Sequence, residues 1–230
     1  MKVLLVNGSP HKNGCTHAAL EEVGRALEGE GVHTDWFWIG NRPLTGCLGC
    51  GCCATHGACH YQDRVNEFLE AAKDYDGFVF GAPVHFASAA ASMSAFLDRA
   101  FYTDQCAGLG RFAFKPGAVV VSARRAGTTA TLDQLNKYFM ITQMPVVSSQ
   151  YWNMVHGQCP EDVKKDEEGM QIMRVLGRNM AWMLKSIEAG KAAGITLPET
   201  EEKKRTNNMQ ERELIEQQRR SSALHYKKGG

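Results

Sequence analysis

Apolar positions along the chain follow two alternating patterns. Continuous apolar runs are typical of strands buried on both faces, whereas apolar residues repeated every three or four positions are typical of helices. The segments that predict strands are residues 3–6, 32–39, 77–83, 117–123 and 144–152. The segments that predict helices are residues 17–29, 63–73, 91–102, 131–141 and 162–192. Five strands alternating with helices predict an α/β fold with a doubly wound, five-stranded parallel sheet.

Composition limits the classes of protein and partner. With 230 residues, 43% hydrophobic and 22% charged, the chain is long enough for one substantial core. Residues 1–195 are predicted to form that domain, and residues 196–230 a helical or charged C-terminal arm or tail. A net charge of +1 gives no general reason to bind nucleic acid or a membrane. The short apolar start does not fit a signal peptide, so we expect a cytoplasmic protein with a small-molecule partner.

The loop GSPHKNGCT, residues 8–16, joins the first strand to the first helix. It matches neither the dinucleotide fingerprint nor the nucleotide-triphosphate loop. Hydroxyl groups and the free N–H groups of a helix N-terminus suit a phosphate. The alternative is an ordinary turn in which Thr16 caps the helix.

Two more loops follow strands of the predicted sheet, and in such sheets ligands bind beyond the carboxyl ends of the strands. GAPVHFASAAASM offers an apolar shelf with one ionisable ring, and SARRAGTT offers backbone amides beside two arginines. Together the three loops suit a planar heterocycle that carries a phosphate. FMN has that chemistry.

These loops resemble the flavodoxin-like NADPH-dependent FMN reductase family, whose usual forms run Gly-Ser-Pro…Gly-x-Thr and Pro-Val-Tyr-Phe…Phe-x-Asp-Arg. The similarity covers roughly residues 1–195. It implies that the phosphate is bound by Ser9, Asn13, Cys15 and Thr16. It implies that the ring is lined by Pro83, Val84, His85, Phe86, Ser122, Ala123, Arg124, Arg125 and Gly127. Cys15 stands where asparagine is common and His85 where tyrosine is common, and neither change prevents FMN binding because backbone donors carry most of a phosphate nest.

Five of the eight cysteines lie in CLGCGCCATHGAC, residues 47–59. The spacing does not provide the long loop between two chelating pairs that zinc sites usually have. Four thiolates in a compact, glycine-rich loop suit a [4Fe–4S] cluster, and the spacing resembles that of the iron–sulfur flavoproteins, a branch of the same family. The predicted ligands are Cys47, Cys50, Cys53 and Cys59, with Cys52 left over. The alternative is a redox-silent or disulfide-prone loop.

The resemblance implies an FMN-dependent oxidoreductase that accepts hydride from NAD(P)H. With a cluster, electrons pass on to a one-electron acceptor; without one, they pass to a quinone, a nitro or azo compound, or free flavin. The alternatives are an electron carrier reduced by a ferredoxin-like partner, without a nicotinamide site, and a redox or flavin sensor that uses its tail to bind a partner. An exposed flavin needs a cover, which predicts a homodimer or homotetramer. Asp98 and Arg99 are expected to form structural ion pairs rather than to act in catalysis.

Overall fold

A computed structural model describes residues 1–201 of the chain. The predicted C-terminal arm, residues 196–230, therefore lies mostly outside the described residues.

A parallel sheet forms the centre of the protein. Its five strands have the order β2-β1-β3-β5-β6, and the short strand β4 pairs with the end of β3 in the antiparallel direction. In order of position along the sheet, this is the 2-1-3-4-5 arrangement of flavodoxin-like proteins, so the predicted fold class is confirmed. The strands are β1 (Lys2–Asn7), β2 (His33–Trp38), β3 (Gly77–His85), β4 (Ser88–Ala89), β5 (Gly117–Ala123) and β6 (Met154–His156).

Helices cover both faces of the sheet. They are α1 (Cys15–Gly29), α2 (Cys52–His56), α3 (Arg64–Ala71), α4 (Ala91–Cys106), α5 (Thr128–Ile141), α6 (Pro160–Lys165) and α7 (Glu167–Ala192), with a 3-10 turn at Ala72–Asp74. One apolar cluster joins the sheet to α3, α4 and α5 through stacked and edge-to-face phenylalanine rings. The other joins the sheet to α1 and α7 through aliphatic side chains and methionines. Within residues 1–201, no helix is both long and apolar enough to cross a membrane.

The predicted fifth strand at residues 144–152 is wrong in position. Val146 bridges to Gly117 at the start of β5, and His156 pairs with Ala123 at its end. Between these two pairings the chain advances ten residues, from Val146 to His156, while β5 advances six, from Gly117 to Ala123. The four extra residues leave the sheet in a turn, in which the Ser149 hydroxyl donates to the Tyr151 carbonyl at 2.6 Å. The regular strand forms only afterwards, as β6.

The helix predicted over residues 162–192 is divided at Asp166. This residue has a non-helical backbone conformation, and its carboxylate accepts a hydrogen bond from the Gly169 N–H at 2.9 Å. Asp166 therefore ends α6 and caps the start of α7. The cap predicted at Asp63 is confirmed, since its side chain accepts from the Val65 N–H and begins α3.

Candidate functional site

Hydrogen bonds from Asn7, from within the loop and from Trp38 hold the loop between β1 and α1. The Asn7 amide donates to the Lys12 carbonyl at 2.9 Å, and its oxygen accepts from the Ser9 N–H at 3.0 Å. The Ser9 hydroxyl accepts from the His11 N–H at 3.1 Å. Trp38, at the end of β2, donates its indole N–H to the Ser9 carbonyl at 2.8 Å. Four hydrogen bonds thus support the shape of the loop.

Helix α1 begins at the end of this loop, and no side chain caps its N-terminus. Gly14 is the N-cap residue, it makes no side-chain cap hydrogen bond, and the first turn holds no acidic residue. The first N–H groups of the helix and the positive end of its dipole therefore face the loop. Lys12 lies in the same loop, exposed, with its ammonium 5.8 Å from the Trp38 ring centre. Such a terminus favours an anion.

Thr16 and Ser122 connect two of the predicted site loops. Their hydroxyl oxygens lie 2.7 Å apart, and both residues are buried. Thr16 belongs to the first turn of α1 and Ser122 to the end of β5, so one hydrogen bond joins the start of α1 to a strand that is separated from β1 by β3. The alternative, in which Thr16 caps α1, does not hold because Gly14 is the N-cap residue.

Cys15 is partly buried and points toward the loop after β6. Its thiol is 3.7 Å from the Gly157 carbonyl. Burial raises the pKa of Cys15 above its ordinary value, and the nearby Cys159 adds to the effect. The thiol is therefore a neutral donor at neutral pH, in the position where the family commonly has an asparagine amide.

The predicted ring loop is a tight antiparallel turn beyond β3. Val84 pairs with Ala89 and His85 with Ser88, so Phe86 and Ala87 form the two-residue tip. Both have left-handed backbone, with φ of 51° and 60°. Phe86 is fully exposed. The tip lies against Gly127 in the loop after β5, where an added Cβ would come within 2.5 Å of the Ala87 Cα.

The predicted residues divide into a buried set and an exposed set. Pro83 and Val84 are half-buried, Ser122 and Ala123 are buried, and His85 is exposed. The other predicted residues that are exposed are Asn13, Arg124 and Arg125, besides Phe86. Because β1, β3 and β5 are neighbours in the sheet, their following loops meet at one edge. The structure thus brings the loops together, with the two arginines and the Phe86 ring exposed and Ser122 and Ala123 buried further in.

The cysteine-rich segment follows β2 and packs beside α4. Four predicted ligands line one cleft together with Arg99 and Tyr102: Cys47, Cys50, Cys53 and Cys59. The enclosed space is only about 20 Å3, room for one water molecule. Within residues 1–201, no three cysteine, histidine or carboxylate groups are gathered closely enough to ligate one metal ion. The donor set suits a cluster, and holding one requires the segment to open.

The first half of the segment lies at the surface. Cys47 and Leu48 are exposed. Gly49 and Gly51 have left-handed backbone, with φ of 62° and 68°, and no atom lies within 4 Å of a Cβ added at either. Cys52 does not line the cleft, and its role as the spare thiol stays a prediction.

Two contacts with the predicted ligands, made by Cys106 and Arg99, were not predicted from the sequence. Cys106, at the end of α4, forms a hydrogen bond with Cys53, and burial together with this thiol raises the pKa of Cys53 to about 12. Arg99, in the middle of α4, donates to the Cys59 sulfur and pairs with Asp63 rather than with a residue at the surface. The sequence signal was the helical spacing of α4, which places Arg99 and Cys106 two turns apart on one face.

Trp38 is a further missed residue, at the last position of β2. Its position at the carboxyl end of β2 could have identified it as a site residue. β2 lies beside β1 in the sheet, so it ends next to the loop that follows β1.

The sheet order and the loop before α1 are those of a flavodoxin-like, mononucleotide-binding type of α/β protein. The model of the NADPH-dependent FMN reductase family matches residues 1–158. The chain therefore belongs to this family, as the loops predicted. It is an FMN-dependent oxidoreductase or electron carrier.

Sequence and structure comparisons agree with this assignment. An iron–sulfur flavoprotein of Methanocaldococcus jannaschii is 32% identical over 199 residues, which cover 82% of this chain and 100% of that protein. The crystal structure of RosB with a bound flavin phosphate intermediate has a TM-score of 0.65 at 12% identity, covering 91% of this chain and 93% of that one. An NAD(P)H:quinone oxidoreductase from Methanothermobacter marburgensis has a TM-score of 0.59 at 15% identity, covering 78% and 96%. The two structures show a shared fold.

Proposed function

We propose that the protein is an iron–sulfur flavoprotein that accepts hydride from NAD(P)H and delivers electrons to a one-electron acceptor. The observation that carries this proposal is the single cleft lined by Cys47, Cys50, Cys53 and Cys59 in a protein of the FMN reductase family. The name of the Methanocaldococcus relative supports it. When bound, FMN supplies the conversion between a two-electron donor and one-electron steps.

The phosphate of FMN is assigned to the N-terminus of α1. The loop holds its shape through Asn7, Ser9 and Trp38, so little ordering is needed on binding. Free N–H groups of the first turn and the Lys12 ammonium favour a dianion. Thr16 adds a hydroxyl that can donate to the phosphate while it accepts from Ser122.

The ring is assigned to the space between the turn after β3 and the loop after β5. Val84 and the exposed Phe86 offer apolar contacts, while backbone groups near Ala123 and Gly127 offer polar contacts at the ring edge. Arg124 and Arg125 are exposed at the rim, where a phosphate of NAD(P)H can pair with them. These residues bind and orient; none needs to act as an acid or base in hydride transfer.

The cluster is assigned to the four cysteines that line the cleft. Cys47, which is exposed, and its neighbour Leu48 place that end of the segment at the surface, where an electron can reach a partner protein. Without the cluster, the same site would pass electron pairs to a quinone, a nitro or azo compound, or flavin, an activity that the name of the Methanothermobacter structure supports.

Purification without oxygen tests the cofactors directly. We expect one FMN per chain by mass analysis, iron and acid-labile sulfide, and broad iron–sulfur absorbance. Cys47→Ser, Cys50→Ser, Cys53→Ser or Cys59→Ser should each remove iron and leave FMN bound. Cys52→Ser is the matched control and should retain both. Flavin without labile sulfide in the wild-type protein, even after reconstitution, would leave a plain FMN reductase with a cysteine-rich loop.

Steady-state oxidation of NADH and NADPH separates the reductase from the second candidate, an electron carrier reduced by a ferredoxin-like protein. The exposed cysteine segment favours a protein partner in either case. Turnover with a nicotinamide donor supports the reductase, and negligible turnover with both donors supports the carrier.

The proposed unit is a homodimer or homotetramer, because the exposed Phe86 at the predicted flavin site and the half-exposed Tyr151 and Trp152 leave apolar surface uncovered. Light scattering of the FMN-loaded protein should give a dimer or tetramer mass. A monomer with full activity would contradict this assembly.

A further inference from the structure

Several hydrogen bonds hold both the backbone and the sulfur of Cys59 in place. The Asn66 side chain accepts from the Cys59 N–H at 2.8 Å and donates to the Cys59 carbonyl at 2.9 Å. The same amide donates to the Tyr61 carbonyl at 3.0 Å. The backbone of this residue is therefore fixed to α3, whereas Cys47 lies on the exposed half of the segment.

The sulfur of Cys59 is fixed by a second element, α4. Arg99 donates to it from both Nε and Nη2, each at 3.2 Å. The guanidinium is fully buried. On its other side it forms a forked pair with Asp63, with N···O distances of 2.7 and 2.9 Å, and it also donates to the Tyr61 carbonyl at 3.3 Å. All three nitrogens of the guanidinium thus donate to a defined partner.

Asp63 makes the arrangement rigid. Its carboxylate caps α3 through the Val65 N–H at 3.1 Å while it pairs with Arg99. One carboxylate thereby orients the guanidinium and begins the helix that carries Asn66. The expected structural ion pair of Arg99 is present, with Asp63 as its partner. The same guanidinium also donates to the Cys59 thiol.

We propose that Arg99 is a positioning residue that fixes the Cys59 sulfur as the preformed ligand and makes the reduction potential of the cluster more positive. The inference rests on the proposed function, in which Cys59 is one of four ligands. Two N–H donors and a buried positive charge stabilise the form of the cluster that carries the additional electron, and hydrogen bonds to ligand sulfurs are among the groups that set such potentials.

The test compares Arg99→Lys, Arg99→Gln and a matched control, Arg64→Gln, in anaerobically reconstituted full-length protein. Arg99→Lys keeps the charge and loses the fork; Arg99→Gln loses both. Arg64 adjoins Asp63 in sequence, and in the described part of the chain its contacts are Glu67, the Trp38 carbonyl and the Phe37 ring, with no cysteine among them. Midpoint potentials of the cluster and of FMN are measured in one redox titration, with the electron paramagnetic resonance signal of the reduced cluster as the readout.

For Arg99→Gln we expect the ratio of reduced to oxidised cluster at a fixed potential to fall roughly tenfold, a shift of about 59 mV to more negative potential for one electron. Arg99→Lys should shift in the same direction by less, because the fork is lost and the charge remains. Arg64→Gln should leave the cluster potential unchanged, and the FMN potential should be unchanged in all three variants.

The outcomes separate this inference from the proposed function. A wild-type protein that binds FMN but no iron and sulfide overturns both. If the wild-type protein holds a cluster and Arg99→Lys does not change its potential, only the proposed role of Arg99 is overturned. If Arg99→Gln does not fold, judged by its FMN content and far-ultraviolet circular dichroism, Arg99→Lys decides the question. An equal shift in Arg64→Gln also overturns it, since any nearby arginine would then suffice.

Discussion

Replacing Thr16 with valine removes one hydroxyl and keeps the shape of the side chain. In the wild-type protein this hydroxyl is 2.7 Å from the Ser122 hydroxyl, and the two residues are 1% and 3% exposed. Water cannot take the place of the lost group at such burial, so Ser122 remains without that partner. The expected cost is about 1–3 kcal/mol of the free energy of unfolding.

For a domain of this size, the same cost corresponds to a decrease in Tm of roughly 2–12 °C. Urea unfolding of the apoprotein measures it in a cycle of Thr16→Val, Ser122→Ala and the double variant. Because each single change leaves one buried hydroxyl alone, the double variant should cost less than the sum of the two. Thr131→Val is the matched control: Thr131 is fully buried, and in the described residues its hydroxyl has no hydrogen-bond partner, so the change should be nearly neutral.

FMN binding to the same variants tests the assigned role of Thr16. A phosphate dianion only accepts hydrogen bonds, so Thr16 must donate to it and accept from Ser122. Quenching of flavin fluorescence should therefore show weaker FMN binding in Thr16→Val, by about 1–3 kcal/mol, and a smaller loss in Ser122→Ala. Unchanged FMN affinity in Thr16→Val would refute the phosphate assignment, and additive unfolding energies would refute the pairing of the two hydroxyls.

Three further outcomes follow from single contacts. Gly81→Ala should destabilise the fold by about 1–3 kcal/mol, because the added Cβ would lie 2.7 Å from side-chain carbons of Leu20 and Thr16. Gly29→Ala is the control, since no atom lies within 4 Å of a Cβ added there. Equal melting temperatures of the two variants would contradict this prediction. Burial lowers the pKa of His17 below its ordinary value, so the folded state resists protonation and the free energy of unfolding should decrease as the pH falls below about 6.5. Urea unfolding between pH 8 and 5 should show a shallower decrease in His17→Gln, and an unaltered slope would count against it. In the protein without iron, iodoacetamide should label exposed Cys47 well before buried Cys53, as followed by mass spectrometry; the reverse order would contradict the described segment.

Buried strands were the most predictable elements, because their apolar runs admit few alternatives. β1, β3 and β5 lie in the centre of the sheet and appear in the sequence as uninterrupted apolar segments. The strand at the sheet edge was misplaced, since its apolar residues near Val146 touch β5 only at one bridge. Four additional residues in a turn change the register, and an apolar pattern carries no information on such an insertion.

The candidate site was predictable in its loops and not in its long-range partners. The three loops after β1, β3 and β5 could be identified because parallel strands end at one edge. The contact between Arg99 and Cys59 joins residues forty positions apart, and it depends on how α4 packs against the segment after β2. Helix packing of this kind is decided by the whole core, so an arginine near a helix centre reads from sequence alone as an ordinary ion-pair partner.

The tip formed by Phe86 and Ala87 has a consequence for how this loop can change through mutation. Two residues with side chains hold left-handed backbone there, at a cost of order 1–3 kcal/mol each. Glycine at position 87 would relieve part of that cost and would also widen the range of conformations open to the tip. With alanine at position 87 the protein is less stable, but the turn that carries the Phe86 ring is stiffer. Selection for thermal stability would therefore favour glycine at position 87, and selection for a fixed aromatic surface would favour alanine.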